Sequence, residues 1–245
     1  MLLKRMKVLH ESYTTVRNEG VPFPLESVVA WYAVFALQEH LNVSSDILEM
    51  GVEHGGTAFL EMMALREDET LDLIDLKKSP RFAEMFETLS PDLAARVRFH
   101  ERSTRSPQLD VVAGRRYRFV HIDAGHSKQD VLDDIGRFAG CVSEDGILVL
   151  DDVFEIRWPG VAEAIFEAVP KTDLVPFLFV NRKLYLAKGA AGARYRATLI
   201  EALPELSELG PIRHWVEPML GGDTLIWKQT FPSQRFADLF ASAPL

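Results

Sequence analysis

Two short stretches of this 245-residue chain concentrate groups able to do acid–base chemistry. The run His121-Ile-Asp123-Ala-Gly-His126 sets a carboxylate and an imidazole three residues apart, and Asp151-Asp152 sets two carboxylates side by side. Brought together, Asp123, Asp151 and Asp152 would repel one another strongly unless a cation or a proton intervened. Oxygen-only ligation suits Mg²⁺, Ca²⁺ or Mn²⁺ rather than zinc. His126 would then be placed to take a proton from a cation-bound hydroxyl near neutral pH. The plainer alternative is that these acids cap the helices that follow, where carboxylates are favoured anyway. His126 would then be structural.

A third stretch, Glu49-Met-Gly51-Val-Glu53-His54-Gly55-Gly56-Thr57, has the make-up of a strand-to-helix turn. Glycines let the backbone bend tightly and approach a ligand, and the helix start offers free N–H groups. The spacing is G-x-x-x-G-G, not the G-x-G-x-x-G of dinucleotide folds. Carboxylates at Glu49 and Glu53 would repel a pyrophosphate and suit a ligand with positive charge or hydroxyls. The turn alone is equally compatible with no ligand. Asp75, about 24 residues beyond Gly51, closes the next apolar run, where an acid can accept from both hydroxyls of a ribose; the alternative is a surface Asp. Together, turn and acid favour a nucleoside-containing cofactor. Ser103, in HERSTRSP, falls where an adenine edge could be read.

These residues need a scaffold that delivers them to one place. DILEM, LDLID, RVRFH, YRFVHID and GILVLDD read as strands, separated by helical patterns such as TAFLEMMAL and RFAEMFETL. Ser79-Pro80 has the form of a helix start, and Ser127 with Asp130 resembles a capping box ahead of Val131, Ile135 and Phe138. Strands alternating with helices imply an α/β fold with a parallel sheet and helices on both faces, with the chemistry at its carboxyl edge. LVPFLFV and KLYLA are separated only by Asn181 and Arg182, too few residues for a parallel crossover, so they predict an antiparallel hairpin. Residues 1–44 read as a helical lead-in whose Trp31, Tyr32, Phe35 and Leu37 form a core or dimer contact, or else a lid. Residues 45–190 form the core, and 191–245 add a helix, stopped by Pro204, and two apolar pieces around Trp215 and Leu225.

Composition bounds the rest. At 47% hydrophobic and 26% charged, the chain is globular rather than disordered or collagenous. A net charge of -9 argues against nucleic acid as a partner. The longest nearly apolar run, Val28 to Leu37, falls far short of the roughly 20 residues of a membrane span, and no signal-peptide pattern follows the basic N-terminus, so a cytoplasmic protein is expected. The single Cys141 excludes an intramolecular disulfide and reads as a small buried hydrophobe. The other six histidines lack a partnered motif: His54 shapes the turn, and His121 points inward from a strand. Arg157 and Trp158 either line an acceptor pocket or pack in their loop, and Arg182 reads as solvated.

The stretches ILEMGVEHGGT, LIDL, FVHIDAGHSKQDVLDDI, GILVLDDV, WPGV and NRKLYLA resemble class I S-adenosylmethionine-dependent methyltransferases. The resemblance is to the bacterial metal-dependent macrolide and sugar O-methyltransferases, and it spans roughly Ser45 to Lys188. It implies a Rossmann-like seven-stranded sheet whose last strand is antiparallel. It also implies that Gly51, Gly55 and Gly56, with Glu49, Glu53 and Thr57 beside them, surround the cofactor. Asp75 would hold the ribose, and Asp123, Asp151 and Asp152 would hold Mg²⁺ or another divalent ion, with Asp123 also near the cofactor. His126 would be the base acting on a small hydroxylated acceptor. Catechol-type enzymes carry Lys at the His126 position and Asn at the Asp152 position. Two rival readings remain: a methyltransferase without metal, and a protein that binds the cofactor without catalysis. G-x-x-x-G-G and the closing hairpin count against an NAD-dependent oxidoreductase. The apolar N-terminal segment is compatible with a homo-oligomer.

Overall fold

The computed structural model describes residues 24–231 and Met6. Most of the lead-in before residue 24, including His10, and the final stretch 232–245 lie outside the described residues. In chain order the elements are α1 (Leu25–His40), β1 (Asp46–Met50), α2 (Gly56–Ala64), β2 (Leu71–Asp75), α3 (Pro80–Phe86), α4 (Pro91–Ala94) and β3 (Val97–Glu101). Then follow α5 (Asp110–Ala113), β4 (Tyr117–Ile122), α6 (Lys128–Phe138), β5 (Val142–Leu150) and α7 (Pro159–Ala168). The chain continues through β6 (Leu174–Val180), β7 (Lys183–Lys188), α8 (Gly189–Leu206), β8 (Ile212–Met219) and β9 (Gly222–Gln229).

The nine strands of the described residues join one sheet in the order β3-β2-β1-β4-β5-β7-β6-β9-β8. Strands β1 to β5 are mutually parallel, and β7 runs antiparallel to both β5 and β6. The strand order turns back between β1 and β4, which opens a crevice beyond their carboxyl ends, where open sheets bind ligands. The hairpin of β6 and β7 forms as its two-residue spacing requires: Asn181 and Arg182 both have positive φ (45° and 70°), the mark of the tight turns that match strand twist. Seven strands are expected, and the described residues hold nine. β9 pairs parallel to the outer edge of β6, and β8 folds back on β9, so the apolar pieces at Trp215 and Leu225 extend the sheet. Burial of Leu225 and Trp227 pulls them there, satisfying an edge whose backbone groups would otherwise lack partners.

Alternation along the strands sorts the core into two halves. Ile47, Phe119, Ile147, Val149 and Tyr185 face α1, α2 and α8, while Leu48, Val120, Leu148, Leu150 and Leu184 face α6 and α7. Helix α1 is buried from Ser27 to Gln38, as an all-round apolar helix must be. Trp31 packs edge-on against Phe119, His121 and Tyr185, so the aromatic stripe is core. Ser79 and Ser127 cap their helices by accepting from Phe82 and Asp130 N–H. Helix α8 runs on to Leu206, with Pro204 inside it rather than ending it. Proline forfeits one backbone bond in the final turn there, while buried Leu203 and Leu206 hold that turn down. Cys141 is buried, its thiol on the Ala113 carbonyl. Among the described residues, no helix is long and apolar enough to cross a membrane.

Candidate active site

Backbone geometry assembles the site first. After β1 the chain turns at Gly51 (φ +88°), where an added Cβ would sit 1.9 Å from the Asp123 carbonyl oxygen. No side chain fits there, and this close approach locks the ends of β1 and β4 together. Asp123 N–H donates to the Met50 carbonyl at 2.8 Å, and Asp151 N–H to Ile122 at 3.2 Å, so each loop leaves its strand at the same level. Asp75 Oδ2 accepts from the Val52 and Glu53 N–H groups at 2.8 and 2.9 Å. The acid at the end of β2 thus also fastens the glycine turn.

A cavity of about 790 Å³ opens at this edge, within the size range of small-molecule sites. Along the strand order Ser103, Asp75 and Glu53 line one end and His126, Asp151 and Asp152 the other, with Gly51 and Asp123 meeting between them. Arg157 and Trp158 also reach the cavity. So does Arg182, expected to be solvated; positive φ in the hairpin turn carries it back to Asp152 (3.4 Å) and Glu155. Arg102, Thr104 and Arg105, beside Ser103, are wall residues that no motif marked.

Four residues assigned to the cofactor lie away from the cavity lining: Glu49, Gly55, Gly56 and Thr57. Glu49 points into the core because strand alternation turns it there. It is fully buried, accepts from the Thr57 hydroxyl and lies 3.0 Å from His121 Nδ1. Gly55, with φ +82°, starts α2, and an added Cβ would strike the Phe82 ring. Its requirement is for packing.

The acids at the far end divide unevenly. Asp123, His126 and Asp152 offer ligand atoms within 4.8 Å of one another, and so do His121, Asp123 and Asp151. His126 Nε2 lies 3.5 Å from Asp123 and 3.2 Å from Asp152, and its ring stacks on Trp158 at 5.0 Å. Hydrogen bonds that His126 donates to Asp123 first and Asp152 second raise its pKa to about 10. Burial pushes the Asp123 carboxyl up, partly offset by His126. Burial also works against Asp151, but the Lys183 ammonium and His121 outweigh it and hold that carboxyl at about 2. Lys183, at the start of β7, contacts Asp151 directly. The sequence reading passed over it; its one signal is a lysine opening the apolar run Leu184 to Ala187. Asp152 adopts φ 55°, its N–H donating to Asp151 Oδ1 at 2.7 Å, so the paired acids diverge.

Residues 48–153, from β1 to just past Asp152, match the family model described as a methyltransferase domain. That stretch, less than half of the chain, is similar to a methyltransferase domain. All the site acids fall inside it. The structure is similar to that of the O-methyltransferase NovP, with TM-score 0.52 at 19% identity over 76% of this chain and 97% of NovP. It is similar also to MycE, a methyltransferase of the mycinamycin pathway solved with Mg, S-adenosylhomocysteine and mycinamycin VI. There the TM-score is 0.53 at 15% identity, over 74% of this chain but only 53% of MycE. At these identities the likeness is one of fold. No curated protein matches the sequence significantly.

Proposed function

We propose that this methyltransferase domain transfers a methyl group to a hydroxyl of a small acceptor, such as a sugar or another natural product, with a divalent cation at Asp123, Asp151 and Asp152. The observation that carries the reading is one cavity holding the Asp75 end and the Asp123–His126–Asp152 cluster together. The residues fit both groups. Asp75 uses Oδ2 for the glycine turn, and its other oxygen has no bond among the described residues, which suits a ribose hydroxyl. Gly51 presents bare backbone where the methionine part would lie. Three carboxylates with His126 suit a hard cation.

S-adenosylmethionine supplies an activated methyl on a sulfonium, and a divalent ion supplies Lewis acidity at the acceptor oxygen. The chain's own task is alignment and proton control. Trp158 stacks on His126 and holds its ring over the acids. His126 Nε2 takes the acceptor proton, which requires that Asp123 and Asp152 first be engaged elsewhere, since together they keep a proton on it. Arg157 and Trp158 border the acceptor end.

Calorimetric titration with S-adenosylhomocysteine, in Mg²⁺ and again in EDTA, tests the cofactor assignment. Micromolar affinity is expected in both buffers, because the cation sits at the acceptor end. A folded protein that binds in neither buffer defeats the reading. Methyl transfer to hydroxylated acceptors that persists undiminished in EDTA would remove the metal and leave the methyltransferase.

A further inference from the structure

Every carboxylate at the acceptor end already faces a cation that the chain supplies. Asp123 and Asp152 share His126, and Asp152 also has Arg182 at 3.4 Å. Both partners are mobile in principle, with side chains 34% and 40% exposed. Asp151 is different. Its partner Lys183 is 3% exposed, its ammonium contacts Asp151 Oδ2 and lies 5.3 Å from the Trp31 ring centroid. The residue opens β7, a strand held between β5 and β6. Because β7 is antiparallel to β5, its first residue necessarily meets the carboxyl end of β5, where Asp151 stands. Val153 N–H donating to the Arg182 carbonyl at 2.9 Å ties the two chain ends together.

We infer that Lys183 is a resident counter-cation that withdraws Asp151 from the cation-binding set, leaving Asp123 and Asp152 to hold a divalent ion weakly. An ammonium against the carboxylate cancels one of three negative charges, and it repels a second cation at close range through a poorly solvated interior. Lys183 is 3% exposed on a strand held between β5 and β6, so moving its ammonium off Asp151 would cost a buried charge its closest opposite charge, and the pair persists when a metal arrives. Lys183 is thus a positioning residue that sets metal affinity. This rests on the cation site proposed above but narrows its ligands from three carboxylates to Asp123 and Asp152, and its test needs no methyl transfer.

Mn²⁺ binding to the full chain is measured by electron paramagnetic resonance, without S-adenosylmethionine or acceptor. Lys183→Met is expected to bind Mn²⁺ at least tenfold more tightly than wild type, and Lys183→Arg to stay within threefold of it. Equal or weaker binding by a folded Lys183→Met overturns the inference. The charge-neutral pair Lys183→Met with Asp151→Asn guards against a variant that does not fold. Wild-type-like Mn²⁺ affinity in that pair supports the inference, whereas a loss of tenfold or more shows Asp151 to be a working ligand and overturns it. Titration of the same proteins with S-adenosylhomocysteine reports the cofactor end separately. Its failure in wild type would strike the methyltransferase reading and not the Mn²⁺ comparison.

Discussion

Asp134 offers a prediction whose sign and size both follow from the structure. It lies on the inward face of α6 with Val131, Ile135 and Phe138, is 2% exposed, and its Oδ2 has no hydrogen-bond partner among the described residues. Burial pushes its carboxyl from 3.8 up to about 6, against a lowering by Thr104 and with added repulsion from Asp130. At about 1.36 kcal/mol per unit, keeping Asp134 ionised costs the fold about 3 kcal/mol at pH 7.5 and only about 1 kcal/mol at pH 4.5. A carboxyl whose pKa rises on folding binds more protons folded than unfolded. This contribution to stability therefore falls as pH climbs from about 4 to about 6, and stays lost above. Asp134→Asn removes the charge and keeps the shape. In urea unfolding the variant should exceed wild type by up to about 3 kcal/mol at pH 7.5, shrinking to about 1 at pH 4.5. Its melting temperature at pH 7.5 should rise by up to roughly 6–12 °C, at about 2–4 °C per kcal/mol for a chain this long. Thr104 stands on the cavity wall, so S-adenosylhomocysteine affinity checks that the wall has not moved; a change under threefold is expected. An advantage of the same size at both pH values, or a variant less stable at pH 7.5, would refute the reasoning.

Three further outcomes follow from particular contacts. Gly51→Ala forces a Cβ against the Asp123 backbone at a positive φ, which alone costs about 1–2 kcal/mol; the melting temperature should fall and cofactor binding with it. Asp75→Ala frees the Val52 and Glu53 N–H groups and removes the candidate ribose acceptor, so S-adenosylhomocysteine should bind at least tenfold more weakly in a protein that still melts cooperatively. Arg118, buried in β4, makes two 2.8 Å bonds to Glu69 and one of 2.6 Å to Gln38. Arg118→Met leaves the buried Glu69 carboxylate with two backbone N–H donors and a longer contact to Arg66, and should cost about 3 kcal/mol by chemical denaturation.

Local signals were enough for much of this architecture. Alternating apolar runs, Ser79 and Ser127 as caps, and a two-residue Asn181-Arg182 connection specify a parallel α/β sheet closed by a hairpin, because period, capping and turn length are properties of neighbouring residues. The same locality brings Asp123, His126, Asp151 and Asp152 to one edge, since every parallel strand must end there. Asp75 was legible as an acid at a strand end, but its bonds to the glycine turn were not, because they join residues that the chain separates and the sheet reunites. Three things were settled only by the tertiary structure. Glu49 faces inward to Thr57 and His121 rather than the cavity, since the pleat and the packing of α2 decide which side of β1 is sealed. The β8–β9 hairpin joins the main sheet, because an open β6 edge exists only once the sheet does. And Lys183 meets Asp151 across 32 residues, because an antiparallel strand lays its beginning against its neighbour's end. Charge pairing of that kind depends on which strands become neighbours, and no local pattern in a sequence states it.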